Sequence, residues 1–400
     1  MLEDIINIVP PEDRLMQMND YIVNFKRGTL TMVSSSDWHF GAMDPKYQYD
    51  TLETGLFSKL DQIYFDVFFL LGDIYDHKLM ANSDAIMYSG WAVKRLVEIC
   101  KSKGATLVIL SGTESHDANQ LKLFYHYLQD PFIDIRIVEK LCFQYIKGAR
   151  VLCIPEEYNM GAEYYEKYLF WSGNYDVAIM HGMYKNAVYG ATDTNKNTQK
   201  APIFEIDDFC NCSGLILSGH VHVAGCYNTY FYYTGTPYRW CHGEEQDKGF
   251  MITLLDLDTG QHYNHFETIE CMKYVTVTLD ELLNSEPENI ISYITDLKNN
   301  QNIDFLRVKF KNSVTDEQVP VIEIIKKYFR GNTSIRIEIA NRKREQIVSE
   351  NKEMIDKYKD YEYVLDGTLN PYQIFVRYVN QQVGHEYISV EELMEILSEN

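Results

Sequence analysis

The chain has 400 residues, 46% of them hydrophobic and 24% charged, with a formal net charge of −21 at pH 7. That balance excludes a largely disordered chain and supplies enough core for two or three domains. It also excludes a broad phosphate-binding surface: a nucleic-acid substrate would have to be brought in by metals, a local basic patch or another subunit.

Other classes fall away on local grounds. The eight cysteines are scattered with no C-x-x-C pair, so neither a zinc ribbon nor a thioredoxin-like motif is present, and reduced thiols are expected. No apolar run reaches the ~20 residues of a membrane span. The acidic start Met1-Leu2-Glu3-Asp4 lacks the basic opening of a secretory signal. The expected location is cytoplasmic, without membrane association.

Residues 1–28 read as a leader with a helix over 13–25 and no chemistry. The apolar run Leu30-Thr31-Met32-Val33 then predicts a strand that delivers Ser36-Asp37-Trp38-His39. Side chains two apart on a strand share a face, so Asp37 and His39 are expected to project together at its C-terminal end. After a helix over 50–63, Val67-Phe68-Phe69-Leu70-Leu71 is a continuous apolar run, the mark of a strand buried on both faces. It leads into Gly72-Asp73-Ile74-Tyr75-Asp76-His77. A helix over 83–103, closed by Gly104, precedes the strand 106–110 and its tip Ser111 to Asp117. Shorter strands are predicted at 135–138, 143–146 and 151–154. The run 177–180 delivers His181-Gly182, and 214–218 delivers Gly219-His220-Val221-His222. Strands at 230–233 and 250–255, with the Gly235-Thr236-Pro237 turn between them, close this part.

Composition shifts after about Glu270. Strands at 274–277, 305–310 and 334–339 alternate with helices at 290–297 and 319–329, a small β-α-β-α-β unit. Residues 342–363 are densely charged. The tail has Asn370-Pro371 as a helix start, an apolar face of Ile374, Phe375, Tyr378 and Val379, and a second stripe of Val390, Leu393, Met394 and Leu397.

Five of the eleven histidines, His39, His116, His181, His220 and His222, sit at predicted strand ends, together with Asp37, Asp73 and Asp117. Any one of them alone is best read as a loop or core residue. Jointly they point to convergence, at one edge of one α/β sheet. Carboxylates and imidazoles aimed at one point suit a divalent cation. Asp73, between the two alternating pairs, is placed to bridge two cations through both of its oxygens, and a cation pair ~3.5–4 Å apart can bind a phosphate ester and activate water. His116 is placed to protonate a leaving oxygen or to bond a phosphate oxygen. Asp117 reads either as the partner that fixes its tautomer or as a plain turn residue.

The series Asp37-x-His39, Gly72-Asp73-x-x-Asp76, Ser115-His116-Asp117, His181-Gly182 and Gly219-His220-x-His222 resembles the calcineurin-like metallophosphoesterases over about 30–256. Within them it is most similar to SbcD-type DNA repair nucleases, partners of SbcC-type coiled-coil ATPases. The resemblance implies an α/β fold: a β-sandwich flanked by helices (α-β-β-α), a small α/β capping domain and C-terminal helices. The implied domains are 1–28 (leader), 29–270 (nuclease), 271–341 (cap) and 342–400 (linker and partner-binding helices). It further implies two divalent cations, manganese with magnesium as alternative. One would take Asp37, His39, Asp73 and His222, the other Asp73, His181 and His220, with His116 catalytic. The implied activity is exo- and endodeoxyribonucleolytic, in DNA repair, recombination and replication, and a homodimer is implied with it.

One motif departs. The family usually has Gly-Asn-His-Asp, its Asn completing the second metal site. This chain has Gly112-Thr113-Glu114-Ser115 before His116, which leaves Ser115 or Glu114 as the substitute and puts Ser115 beside the substrate. Asp76 reads as a substrate contact, an organiser of the metal shell or a helix cap, and His77 as exposed. Lys326, Lys327, Arg330, Arg342, Lys343 and Arg344 form the best basic cluster, either a DNA contact or a solvated face. The tail stripes read as packing or as helix-in-groove binding to the ATPase. Two other functions stay open: a phosphatase or small-molecule phosphodiesterase on the same site, and a weakly active scaffold subunit.

Overall fold

In the computed structural model the described residues are 28–117, 119–185, 187, 202–310, 315, 318–339, 371–383, 388–390 and 392–393. The predicted leader helix, the charged segment 342–363 with Arg342, Lys343 and Arg344, and Met394 and Leu397 of the last stripe lie outside them. The chain divides into two compact units, one of 1–277, 292–307 and 331–336, the other of 278–291, 308–330 and 337–400.

The first unit is built on strands β1 (Thr29–Ser35), β2 (Val67–Leu71), β3 (Thr106–Leu110), β4 (Ile135–Val138), β5 (Cys142–Ile146), β6 (Ala149–Ile154), β7 (Tyr175–His181), β8 (Met183–Tyr184), β9 (Ile203–Phe204), β10 (Cys212–Gly219), β11 (Gly225–Asn228), β12 (Phe231–Tyr233), β13 (Gly249–Asp256) and β14 (His262–Thr268). Two six-stranded sheets result, ordered β14-β13-β1-β2-β3-β4 and β11-β12-β10-β7-β6-β5. β1 to β4 run parallel, as do β12, β10, β7 and β6, with antiparallel strands at the margins.

Residue type dictates this layering. Every residue of β2 is buried. Val67, Phe69 and Leu71 join Val177, Ile179, Leu215 and Leu217 of the other sheet in a core between the sheets. Phe68 and Leu70 point the opposite way, into a core with the helical layer. A strand covered on both faces must be apolar at both parities, hence the uninterrupted run. The outer helices on that side are α1 (Pro45–Thr51), continued through a π-helical turn at Leu52–Phe57 into α2 (Ser58–Gln62), and α3 (Asp84–Lys103). Ser83 caps α3 by accepting from the Ile86 N–H, and Gly104 ends it in the left-handed conformation. The far face of the second sheet packs Ala178, Met180 and Ile216 against Tyr165 and Leu169 of another helix (Ala162–Leu169). The chain is therefore a mixed α/β protein with two sheets packed face to face and helices outside each.

The expectation of one sheet with all tips at one edge is corrected. β1, β2 and β3 belong to one sheet, β7 and β10 to the other, so the tips converge across the sandwich. Strands β11 and β14 are additions to the predicted set. Both are marginal and half-exposed, so neither carries the apolar run that a buried strand requires. Beyond them a three-stranded sheet of Tyr274–Thr278, Phe305–Phe310 and Ile335–Ile339 alternates with helices Pro287–Asn300 and Val319–Tyr328. A last helix spans Pro371–Val383. Among the described residues no helix is long and apolar enough to cross a membrane.

Candidate metal centre

Convergence is achieved by the turns after the strands, not by strand alternation. β1 ends at Ser35, and Asp37 and His39 lie beyond it with φ of 54° and 43°. Asp73 and His220 also have left-handed backbones, φ 52° and 87°. Side-chain-bearing residues avoid that region, and such strain gathers at functional sites. The turn is held by its surroundings. The N–H groups of Asp37, His39 and Phe40 donate to the carbonyls of Gly72, Asp73 and Ile74 at 2.8–2.9 Å. Buried Gln48 receives the Gly41 N–H and donates to the carbonyls of Trp38 and His39. Gly72 and Gly112 let the turns close: a Cβ on Gly72 would lie 2.5 Å from His181 Nδ1, and one on Gly112 2.2 Å from Asp73 Oδ1.

Three groups of donor atoms come within ligand-sharing distance: Asp37, His39 and His222; Asp73, His181 and His220; and His39, Asp73 and His116. Asp37, His39, Asp73, His181 and His222 are all buried, while His220 and His116 are partly open. Asp73 Oδ2 is the hub, 3.2 Å from His181 Nε2, 3.2 Å from His116 Nδ1 and 3.8 Å from His39 Nε2. Its Oδ1 instead accepts the Thr113 N–H at 2.6 Å. Oδ2 is thus the Asp73 oxygen that faces the histidines, while Oδ1 faces the backbone of the neighbouring turn.

Burial and charge set the protonation pattern. Burial holds the His39 ring well below the usual imidazole range, so the ring is neutral with a lone pair on one nitrogen. Burial opposes a charge on His181 too, but the Asp73, Asp37 and Glu156 carboxylates outweigh it and hold that ring well above its usual range. For Asp73 burial is likewise overcome, by His181 and His116, and its carboxyl lies well below the usual value. Burial, then the Asp73 charge, pushes Asp117 up to about 7 against the pull of its backbone donors.

The residues present fit a divalent cation. Both ring nitrogens of His39 are buried with no hydrogen-bond partner, and Nε2 lies 3.9 Å from Asp37 Oδ1. That is too far for a hydrogen bond but suits two ligands of one ion. His181 Nδ1–H donates to the Leu71 carbonyl at 2.7 Å, and His222 Nδ1–H to Glu244 Oε1 at 2.7 Å. Each contact engages Nδ1 and so orients the ring, the usual outer-shell arrangement of metal-binding histidines. Glu244 is itself buried against Lys248, which also donates to the His222 carbonyl at 2.9 Å. Glu244→Gln is therefore expected to weaken divalent-cation affinity by about 10–100-fold, read by calorimetric titration. Unchanged affinity would show that His222 needs no orienting carboxylate.

Other predicted site residues fall elsewhere. Asp117 does not orient His116. Its carboxylate accepts backbone N–H groups from Asp73, Ile74, Tyr75 and Gly112 at 2.8–3.3 Å, so it pins the two turns together. Ser115 and Glu114 are exposed, and Glu114 belongs to none of the ligand groups among the described residues. Thr113 occupies the inner position instead, because the short helix Glu114–Asp117 turns the next two residues outward. Its hydroxyl lies 3.1 Å from Asp73 Oδ2. Asp76 Oδ1 is 3.7 Å from His39 Nδ1 at the rim, and its other oxygen is 2.9 Å from His77 Nδ1. Trp240 packs edge-on against both His39 and His222, ring centroids 4.2 and 4.8 Å away. Glu244, Lys248 and Trp240 carry no sequence signal of their own, since each reaches the centre from a segment without a strand-tip motif, whereas Glu156 follows the strand 151–154 directly and that position could have signalled it.

Fold and site define a class: an α/β sandwich with a buried His/Asp centre that could hold a metal ion. No family model matches the chain, and no curated protein matches it. One solved structure aligns over 60% of this chain and 100% of its own, at 13% identity and a TM-score of 0.38, a likeness too slight to carry an argument.

Proposed function

We propose that the chain is a metal-dependent phosphodiesterase of the calcineurin-like type, a DNA nuclease subunit similar to the SbcD-type proteins. The supporting observation is the His39 ring, orphaned and buried between Asp37 and Asp73, beside two histidines whose outer nitrogens are pinned. Asp37, His39, Asp73 and His222 would hold one cation; Asp73, His181 and His220 the other, with manganese preferred to magnesium. When bound, such a pair supplies hydroxide at neutral pH and offsets charge on a phosphate.

The chain's own residues do the rest. His116, with a side chain 23% exposed, stands on the open side, where it can donate a proton or hydrogen bond to a phosphate oxygen. Asp117 keeps the two turns at fixed spacing, and the apolar core behind the centre excludes water. DNA as substrate, an SbcC-like ATPase as partner, a homodimer and a cytoplasmic location go with the order of the motifs and with the small α/β segment after them. Lys326, Lys327 and Arg330 line one surface hollow and offer a local basic patch on a chain of net charge −21.

The test is digestion of plasmid and end-labelled oligonucleotides with Mn²⁺, Mg²⁺ or chelator. Cleavage that needs Mn²⁺ and stops with chelator is expected. Intact DNA alongside turnover of p-nitrophenyl phosphate would replace this reading with a phosphatase.

A further inference from the structure

The sequence around Ile154-Pro155-Glu156-Glu157 places two adjacent carboxylates just past the end of β6. They do different work. Glu157 Oε1 accepts from the Leu141 N–H at 2.8 Å and the Tyr164 hydroxyl at 2.9 Å, tying neighbouring segments together. Glu156 turns the other way. Its side chain is 1% exposed, with Oε2 3.1 Å from His220 Nδ1 and 3.9 Å from His181 Nε2. The Thr113 hydroxyl lies 3.4 Å from the same oxygen.

A carboxylate this deeply buried requires a counter-charge, and an isolated one would lose its ionisation. No lysine or arginine pairs with Glu156 among the described residues. What faces it is the pair of imidazoles grouped with Asp73. Ligands about 2.1 Å from one cation stand roughly 3.0–3.5 Å apart; the Glu156–His220 and Asp73–His181 spacings of 3.1 and 3.2 Å fall in that range, and the Glu156–His181 spacing of 3.9 Å is somewhat longer.

We infer that Glu156 is a ligand of the second cation, joining Asp73, His181 and His220, in the place where the resemblance leads one to expect an asparagine amide. The inference rests on the dinuclear reading above. The Thr113 hydroxyl is neutral and bonds Asp73, so the fourth donor is assigned to the carboxylate that follows β6 of the second sheet. A carboxylate in place of a neutral amide adds a negative charge to the site, which raises affinity for a divalent ion.

The experiment is Mn²⁺ titration of the full chain by calorimetry, with electron paramagnetic resonance of the loaded protein, for wild type, Glu156→Ala and the isosteric Glu156→Gln. Wild type is expected to take two Mn²⁺ and show an exchange-coupled spectrum. Both variants are expected to keep one equivalent at wild-type affinity. Glu156→Ala is expected to weaken the second by more than the roughly 10–100-fold that loss of an outer carboxylate costs and to show the uncoupled signal, and Glu156→Gln, whose amide oxygen can still coordinate, to bind the second more weakly than wild type. If the folded Ala variant weakens the second site by no more than about 10–100-fold, as loss of an outer carboxylate that only holds His220 would, or if the Gln variant binds both ions at wild-type affinity, the inference fails. Wild type binding fewer than two ions would overturn the inference through the dinuclear reading itself, so the two failures are distinguishable. The Gln variant keeps the side-chain volume, which guards against loss of folding in the Ala variant.

Discussion

Replacing Asp73 with alanine is expected to empty both cation positions and to lower metal-dependent hydrolysis by about 10³-fold or more. The magnitude follows from what the proposed cations would supply, a water activated to a pKa near 7 in place of bulk water at about 15.7. Among the described residues no other carboxylate has the same reach, since Asp73 Oδ2 lies within 3.2–3.8 Å of three histidines. Asp73→Asn separates charge from shape. It preserves an acceptor for the Thr113 N–H but gives the cations a neutral ligand, so it should fold normally and still lose most of its Mn²⁺ affinity. Calorimetry and metal analysis on both variants check this. Two tightly bound Mn²⁺ in Asp73→Ala would remove Asp73 from the centre.

His116→Ala is expected to behave differently, retaining both Mn²⁺ while the hydrolytic rate falls by about 10²–10⁴-fold, the range for loss of a general acid. The loss should appear in kcat more than in KM, because the contact strengthens as charge builds on the leaving oxygen. Geometry allows a competing role, since His116 Nδ1 is also within 3.2 Å of Asp73 Oδ2 and its ring centroid is 4.9 Å from that of His39. A ligand role would make the variant lose metal together with rate. Metal content and rate measured on one preparation therefore decide between the two roles, and an unchanged rate would end both.

Most of the secondary structure was legible because burial leaves a local trace. The runs 67–71, 106–110 and 177–180 lie in strands whose residues are buried on both faces, and the Ser83 and Gly104 caps bound α3 at its predicted ends. The candidate ligands were legible for a related reason. A parallel strand hands its side chains to the loop at its C-terminal end, so His39, Asp73, His181 and His220 follow apolar runs directly.

The chain alone therefore specified which residue types stand at the strand ends and that those ends should meet. Their assembly from two sheets, the left-handed turns at Asp37, His39, Asp73 and His220, and the anchoring role of Asp117 emerged from folding. So did the approach of Glu156 and Glu244 to histidines 64 and 22 residues away along the chain (220 − 156 and 244 − 222). The physical reason is range. Hydrophobic period and capping act over a few neighbouring residues, whereas a ligand's outer partner is selected by distance in space, which no local pattern encodes.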